Sequence, residues 1–323
     1  MFNRGTSAVH GWGIPMATDI AFALGAIAVL GRRLPLGLRA FLSAFAIADD
    51  LGAVLVIALF YTKTLVWDYL LISLVFVGGL ALANFLWVRR TLVYALLGTG
   101  LWLAVLGSGV HATVAGILVA IFIPARGKYN TDKFIGEVGA LMNEFQCEPS
   151  GCGRSILLNE RHLNAVQSIE LAAHHAETPL QRLEHSVYPW VAFVIVPLFA
   201  LGNAGLTFAG GKAIGDLISP LTLGVALGLL LGKPLGVGLF SYFAVKTGIA
   251  SLPRGVNWRH IIGAGLLGGI GFTMSLFIMG LSFTDEILIS RAKLGILAGS
   301  LASAAAGLCF LIAASRPKKG ADN

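Results

Sequence analysis

Residues 41–60, FLSAFAIADDLGAVLVIALF, form an apolar run long enough to cross a bilayer, and two adjacent carboxylates, Asp49 and Asp50, stand near its middle. A spanning helix needs about 20 apolar residues. A charge at its centre costs about 2.5–3.5 kcal/mol on insertion scales, and two neighbouring acids in a low dielectric do not readily both stay ionised. The simplest use of such a pair is to hold a small cation and to release it when protons compete. A purely structural ion pair is the alternative. At about 100° per residue the two side chains cannot share one helix face, so one points at a given site while the other needs a partner, for which a lysine would serve.

Eight further apolar runs accompany this one, at 12–30, 69–88, 92–107, 110–124, 187–207, 217–243, 260–283 and 291–314. Nine runs of this length exceed what a globular helical core holds, and the expected fold class is an all-α polytopic membrane protein with about nine spans. Composition agrees: 56% of residues are hydrophobic and 12% charged, against about 25% charged in soluble domains. The net charge of +7 does not indicate nucleic acid, because the basic residues sit in short loops between runs. One set of loops and the C-terminal tail hold 17 of the 23 Lys+Arg, among them Arg32, Arg33, Arg89, Arg90, Arg254 and Arg259. The opposite set holds Arg4, Lys63, Lys212, Arg291 and Lys293. The positive-inside rule places the first set, and the C-terminus, in the cytoplasm. The N-terminus is then outside, as expected of a chain that lacks preceding helices. The opening residues have no apolar core of a signal peptide.

Two runs are interrupted. In WGIPMATDIAFALGAIAVL, Gly11, Gly13 and Pro15 precede Thr18 and Asp19. In IIGAGLLGGIGFTMSLFIMG, Gly268, Gly269 and Gly271 precede Thr273 and Ser275. A helix broken at mid-membrane exposes backbone groups that are tolerated only around a protein-lined site. For Asp19 the alternative is a proline kink with the acid facing a polar neighbour. Lys233, beside Pro234 in LLLGKPLGVGLF, lies deep in apolar sequence, and a buried ammonium seeks an acid; snorkelling of its stem to the interface is the alternative. Runs 69–88 and 92–107 read as scaffold, and 291–314, rich in Gly, Ala and Ser, as a packing helix.

The chain divides into a membrane region 1–124 with the first broken helix and the aspartate pair, a cytoplasmic loop 125–186, and a membrane region 187–323 with the lysine span and the second broken helix. In the loop, Phe134, Ile135, Val138, Leu141, Met142 and Phe145 recur at helical spacing, as in an amphipathic helix on a membrane surface. Residues 156–176 read as a second helix, with His162, His174 and His175 exposed. Thr178-Pro179-Leu180-Gln181 has the pattern of a capping box with proline at the first helical position. The helix it opens carries Glu184 and His185 to the cytoplasmic mouth; an ordinary solvated helix end is the alternative. His111, in SGVHATVAG, is suited to titrate near neutral pH or to serve as a structural histidine at the interface. Cys147 and Cys152 form a single C-x4-C without the second pair a zinc site needs, and Cys309 reads as packing.

The sequence resembles the NhaA family of bacterial sodium/proton antiporters, a family whose site type is described among inverted-repeat transporters. The resemblance rests on PMATDIAFALG at 15–25, AIADDLGAVLVIALFYT at 46–62, SGVHATVAGILVAIFIP at 108–124, RLEH at 182–185, LLGKPLG at 230–236 and GGIGFTMSLFI at 268–278. It covers nearly all of the chain except much of 127–177, and the family pattern has three spans ahead of the first run. It implies an NhaA-like fold with two discontinuous helices. Asp49 and Asp50 match the ion-binding pair, which holds Na⁺ transiently, with Asp50 the central cation and proton ligand. Lys233 matches the partner of Asp49. Thr18, Asp19, Gly268, Gly269 and Gly271 match the crossing of the broken helices, and Glu184 and His185, with His111 as a further candidate, a pH-sensing cluster. It also implies electrogenic exchange of Na⁺ or Li⁺ for H⁺, no cofactor, a homodimer, the bacterial inner membrane and a role in pH and sodium homeostasis. The chain is expected to be a secondary active transporter and not an enzyme. A truncated, non-transporting remnant or partner of a full-length antiporter is the alternative; a sodium-coupled symporter ranks last, for want of polar substrate groups in the spans.

Overall fold

A computed structural model describes residues 5–62, 65–127, 129–145, 159–203, 205 and 217–315. The C-x4-C pair lies outside these residues. Among them the structure is helical, without a strand, which is how an apolar chain satisfies its backbone where water is absent.

Each apolar run of the sequence coincides with a helix or a bent pair. Among the described residues, five helices are long and apolar enough to cross a membrane: Leu36–Phe60 (the aspartate helix), Trp67–Phe85, Pro179–Asn203, Pro220–Lys246 (the lysine helix) and Glu286–Ala314 (the C-terminal helix). Two bent pairs pass the same test. Ser7–Met16, a 3₁₀ helix, joins Ile20–Leu30 at 40°, and Trp258–Gly268 joins Phe272–Ser282 at 47°. Thr91–Gly107 and Thr113–Phe122 are apolar but shorter. Within the five long helices no more than 33% of the apolar window is covered by protein, so Leu55, Leu59, Phe193 and Leu301 point outward. Apolar surface on this scale calls for a lipid solvent.

The described chain packs as two compact units, Met1–Tyr61 with Ala192–Asn323, and Thr62–Val191. These follow packing, whereas the three sequence segments follow topology. The first unit has two apolar clusters. One gathers Ile14, Ile57, Leu229, Leu276 and Ile296 around the 3₁₀ helix. The other gathers Ile27, Leu38, Leu42, Ile261, Leu267 and Leu311 around the opposite end of the broken spans. Both breaks therefore lie between two packed layers. Asn257 and His260 begin the second broken span with a capping box.

The second unit is built on Leu80, Tyr94, Leu101, Val105 and Ile123, with the buried Tyr94 hydroxyl donating to the Val88 carbonyl at 3.0 Å. The amphipathic repeat forms the helix Thr131–Met142, capped by Asn130. Thr178 and Gln181 make the reciprocal capping box that starts Pro179–Asn203. Two expectations are corrected. Cys309, read as packing, is exposed. On the helix Glu160–Ala176, His174 is exposed, but His162 is buried and His175 half-buried, its ring 5.1 Å from that of Tyr129. These two lie on the side of the helix that packs, which charge pattern alone does not distinguish from the wet side.

Candidate functional site

Helix ends leave amides and carbonyls without intrahelical partners, and at two breaks inside apolar sequence the protein must supply those partners itself. The first break falls at Ala17, Thr18 and Asp19, where the backbone turns extended. The second falls at Gly269–Gly271, between helices ending at Gly268 and starting at Phe272. They cross in contact. Asp19 N–H donates to the Ile270 carbonyl at 2.6 Å, and Thr18 Oγ1 donates to the Gly268 carbonyl at 2.7 Å. Gly271 permits this approach, since a Cβ there would stand 3.0 Å from the Ala17 carbonyl oxygen and 2.9 Å from Leu229 Cδ2.

Asp19, 3% exposed, serves both helices that begin at the crossing. Its Oδ1 accepts from Phe22 N–H at 3.2 Å, and its Oδ2 from the backbone N–H and hydroxyl of Thr273 at 3.0 and 2.5 Å. A carboxylate between two helix N-termini meets the positive ends of both dipoles. The carbonyl ends are served by other groups. Ser275 Oγ donates to the Ile14 carbonyl at 2.8 Å, and Lys233 Nζ donates to the Met16 carbonyl.

Lys233 follows a π-helical segment, Gly228–Gly232, in the lysine helix. π turns occur mostly as single bulges and often mark functional sites. The Lys233 side chain is 10% exposed, and its ammonium pairs with Asp49 Oδ2, whose side chain is 15% exposed. Thr18 Oγ1 is a further partner at 3.2 Å, and the Phe45 ring centre lies 5.8 Å away. With Met16, Thr18 and Asp49, the three N–H donors of an ammonium are all engaged. Asp50 is left outside this network. It is half-buried, and its Oδ1 is fully shielded without a hydrogen-bond partner. A buried carboxylate oxygen in that position costs free energy until a proton or a cation meets it.

Thr18, Asp19, Asp49, Asp50, Lys233, Gly268, Gly269 and Gly271 thus come together in the first unit. Glu184 and His185, in the second, are exposed on their helix. His111 is half-buried, with Nδ1 3.1 Å from Thr113 Oγ1. Sequence reasoning passed over Ser300 and Ser303, both buried on the C-terminal helix: Ser300 Oγ accepts from Gly271 N–H at 3.2 Å and Ser303 Oγ reaches the Leu229 carbonyl at 3.4 Å. Their signal was a pair of hydroxyls three residues apart, hidden among small residues that also serve packing.

A family model described as Na⁺/H⁺ antiporter 1 matches residues 1–311. The Na(+)/H(+) antiporter NhaA of Acidithiobacillus ferrooxidans is 49% identical over 318 residues, 98% of this chain and 73% of that protein. The Na(+)/H(+) antiporter NhaA 2 of Syntrophotalea carbinolica is 46% identical over 308 residues, 95% of this chain and 70% of that protein. NhaA 1 of Saccharophagus degradans is 47% identical over 312 residues, 96% and 67% respectively.

Proposed function

The chain belongs to the Na⁺/H⁺ antiporter 1 family, and on that premise we propose how its residues exchange sodium for protons across a membrane. Asp50 is the carrier. It alternately holds Na⁺, or Li⁺, and a proton, and because one carboxylate cannot hold both, occupancy by one expels the other. The observation that carries this reading is the shielded Asp50 Oδ1 without a partner, beside an aspartate already paired with Lys233. Asp49 and Lys233 form the ion pair that adjusts as the charge on Asp50 changes. Thr18 and Asp19 with Gly268, Gly269 and Gly271 hold the broken helices in register around them. Motion of the broken-helix bundle opens the site to the two sides in turn, as in other inverted-repeat transporters.

The protein is a transporter rather than an enzyme: no covalent bond is made or broken and the scheme calls for no cofactor. We place it in the bacterial inner membrane with its C-terminus cytoplasmic, as a homodimer, moving cytoplasmic Na⁺ outward against entering protons and so contributing to pH and sodium homeostasis. Glu184, His185 and His111 are the groups proposed to sense pH. Identity spread over 95–98% of the chain favours a transporter over a non-transporting remnant. The test is Na⁺-induced collapse of a pH gradient in inside-out vesicles from an antiporter-deficient strain. The unmodified chain should show it and Asp50→Asn should not; exchange that survives Asp50→Asn removes Asp50 from the carrier role.

A further inference from the structure

Proline in a helix strips a carbonyl of its donor, and in the lysine helix Pro234 does this one residue after Lys233. The carbonyl of Leu229 lies five residues before Pro234, the separation a π turn bonds, and Pro234 has no N–H to offer it. Leu229 is fully buried within the π segment, away from bulk solvent. The group that reaches this carbonyl is Ser303 Oγ, at 3.4 Å, from the C-terminal helix.

The same spot is crowded from a third direction. A Cβ built on Gly269, in the break of the second broken span, would run into both the Leu229 carbonyl oxygen and Ser303 Oγ. One turn away, and therefore on the same helix face, Ser300 Oγ accepts the free amide of Gly271 at 3.2 Å. Ser300 is 5% exposed and Ser303 0%. The C-terminal helix thus touches the broken span through one hydroxyl and the bulge under Lys233 through the other.

We infer that Ser300 and Ser303 are positioning residues for ion exchange, a two-hydroxyl clamp that sets Lys233 against Asp49 and the first break by holding the Leu229 carbonyl and the Gly271 amide. The inference rests on the antiport reading. Without the clamp, the bulge is free to shift register and Lys233 loses its fixed reach to Met16, Thr18 and Asp49. A site less well organised in advance binds its cation more weakly.

The experiment reconstitutes the full chain in proteoliposomes and titrates proton movement with Na⁺. Ser303→Ala and Ser300→Ala should each raise the apparent KM for Na⁺ by at least about fivefold, the effect of one unsatisfied buried polar group, with a smaller fall in maximal rate. Ser303→Thr, which keeps the hydroxyl, should restore the KM. A serine that matters only for folding would lower the amount of active protein and leave KM where it was, because KM does not depend on how many molecules are folded. Ser73→Ala is the control: Ser73 Oγ bonds the Leu70 carbonyl of its own helix at 2.7 Å, and its KM should not move. Unchanged KM in both clamp variants overturns the inference, and so does failure of Ser303→Thr to restore it. If Ser303→Ala does not fold, Ser300→Ala alone decides. An unmodified chain that moves no protons would overturn the antiport reading instead, and Na⁺ affinity by calorimetry, fivefold weaker or unchanged in the variants, then decides the clamp.

Discussion

Asp19 binds Thr273 twice, accepting its backbone N–H at 3.0 Å and its hydroxyl at 2.5 Å on the same carboxylate oxygen. The two residues stand 254 positions apart and belong to different broken spans. Asp19 also caps its own helix at Phe22, so one buried carboxylate satisfies the starts of two half-helices.

Replacing Asp19 should therefore damage both broken spans. Asp19→Ala leaves the Phe22 and Thr273 amides without acceptors and should cost on the order of 3 kcal/mol or more. Asp19→Asn keeps an acceptor and should cost less. Thermal unfolding in detergent ranks the two; equal melting temperatures for both variants and the parent would show that the crossing does not depend on this carboxylate.

Lys233→Ala leaves the half-buried Asp49 without its cation, a change whose upper bound is the roughly 3–5 kcal/mol of a fully buried pair. Lys233→Met, which keeps most of the bulk of the stem but not the charge, should lose nearly as much, because Asp49 is again left without a cation. Lys233→Arg restores the charge but not the fit, because a planar guanidinium cannot replace a compact ammonium among Met16, Thr18 and Asp49. Unfolding midpoints of the three variants check this. A Lys233→Met variant as stable as the parent would argue that packing, not the ion pair, is what Lys233 supplies.

Competition at Asp50 has a sign. Where protons occupy the site, each unit fall in pH raises proton activity tenfold, so apparent KM for Na⁺ should rise about tenfold per pH unit for each proton that one Na⁺ must displace. At high pH, where Na⁺ meets an unprotonated carboxylate, KM should level off. Maximal rate at saturating Na⁺ should change far less than KM. Initial rates in vesicles at a series of pH values provide the measurement, and a KM flat across the acid range would exclude a shared site.

Two glycines of the second broken span should respond oppositely to alanine. Gly269→Ala drives a methyl into the Leu229 carbonyl and Ser303 Oγ and should destabilise by about 1–3 kcal/mol. Gly280, exposed on the following helix with nothing within 4 Å of a new Cβ, should tolerate alanine or gain a few tenths of a kcal/mol. Equal effects at the two positions would mean that the close approach at Gly269 is not tight.

The C-terminal helix shows where reading by pattern stops. Its Gly, Ala and Ser residues read as small groups for close packing, and Gly295, Gly299 and Gly307 do face neighbouring helices at contact distance. Ser300 and Ser303 have the same size and spacing, yet their hydroxyls meet backbone groups freed by a glycine break and by Pro234. His162 fails for a related reason: periodicity separates the faces of a helix only when the apolar side is distinct, and on Glu160–Ala176 it is not, since only His162, Ala165 and Ala172 are buried.

What the chain determines by itself is local. Runs of about 20 apolar residues, Pro15 and the glycines before Thr273, and the Thr178–Gln181 capping box specify where helices lie, break and start, because hydropathy, missing donors and caps act between neighbours in sequence. Intramembrane acids and a lysine announce a site by their cost alone. Which groups meet was decided only by the tertiary structure. The Lys233–Asp49 pairing, the sharing of Asp19 between two helix starts and the isolation of Asp50 Oδ1 join positions up to 254 apart. Such contacts depend on how helices cross, and the backbone groups they satisfy come into being only when two breaks fold against each other.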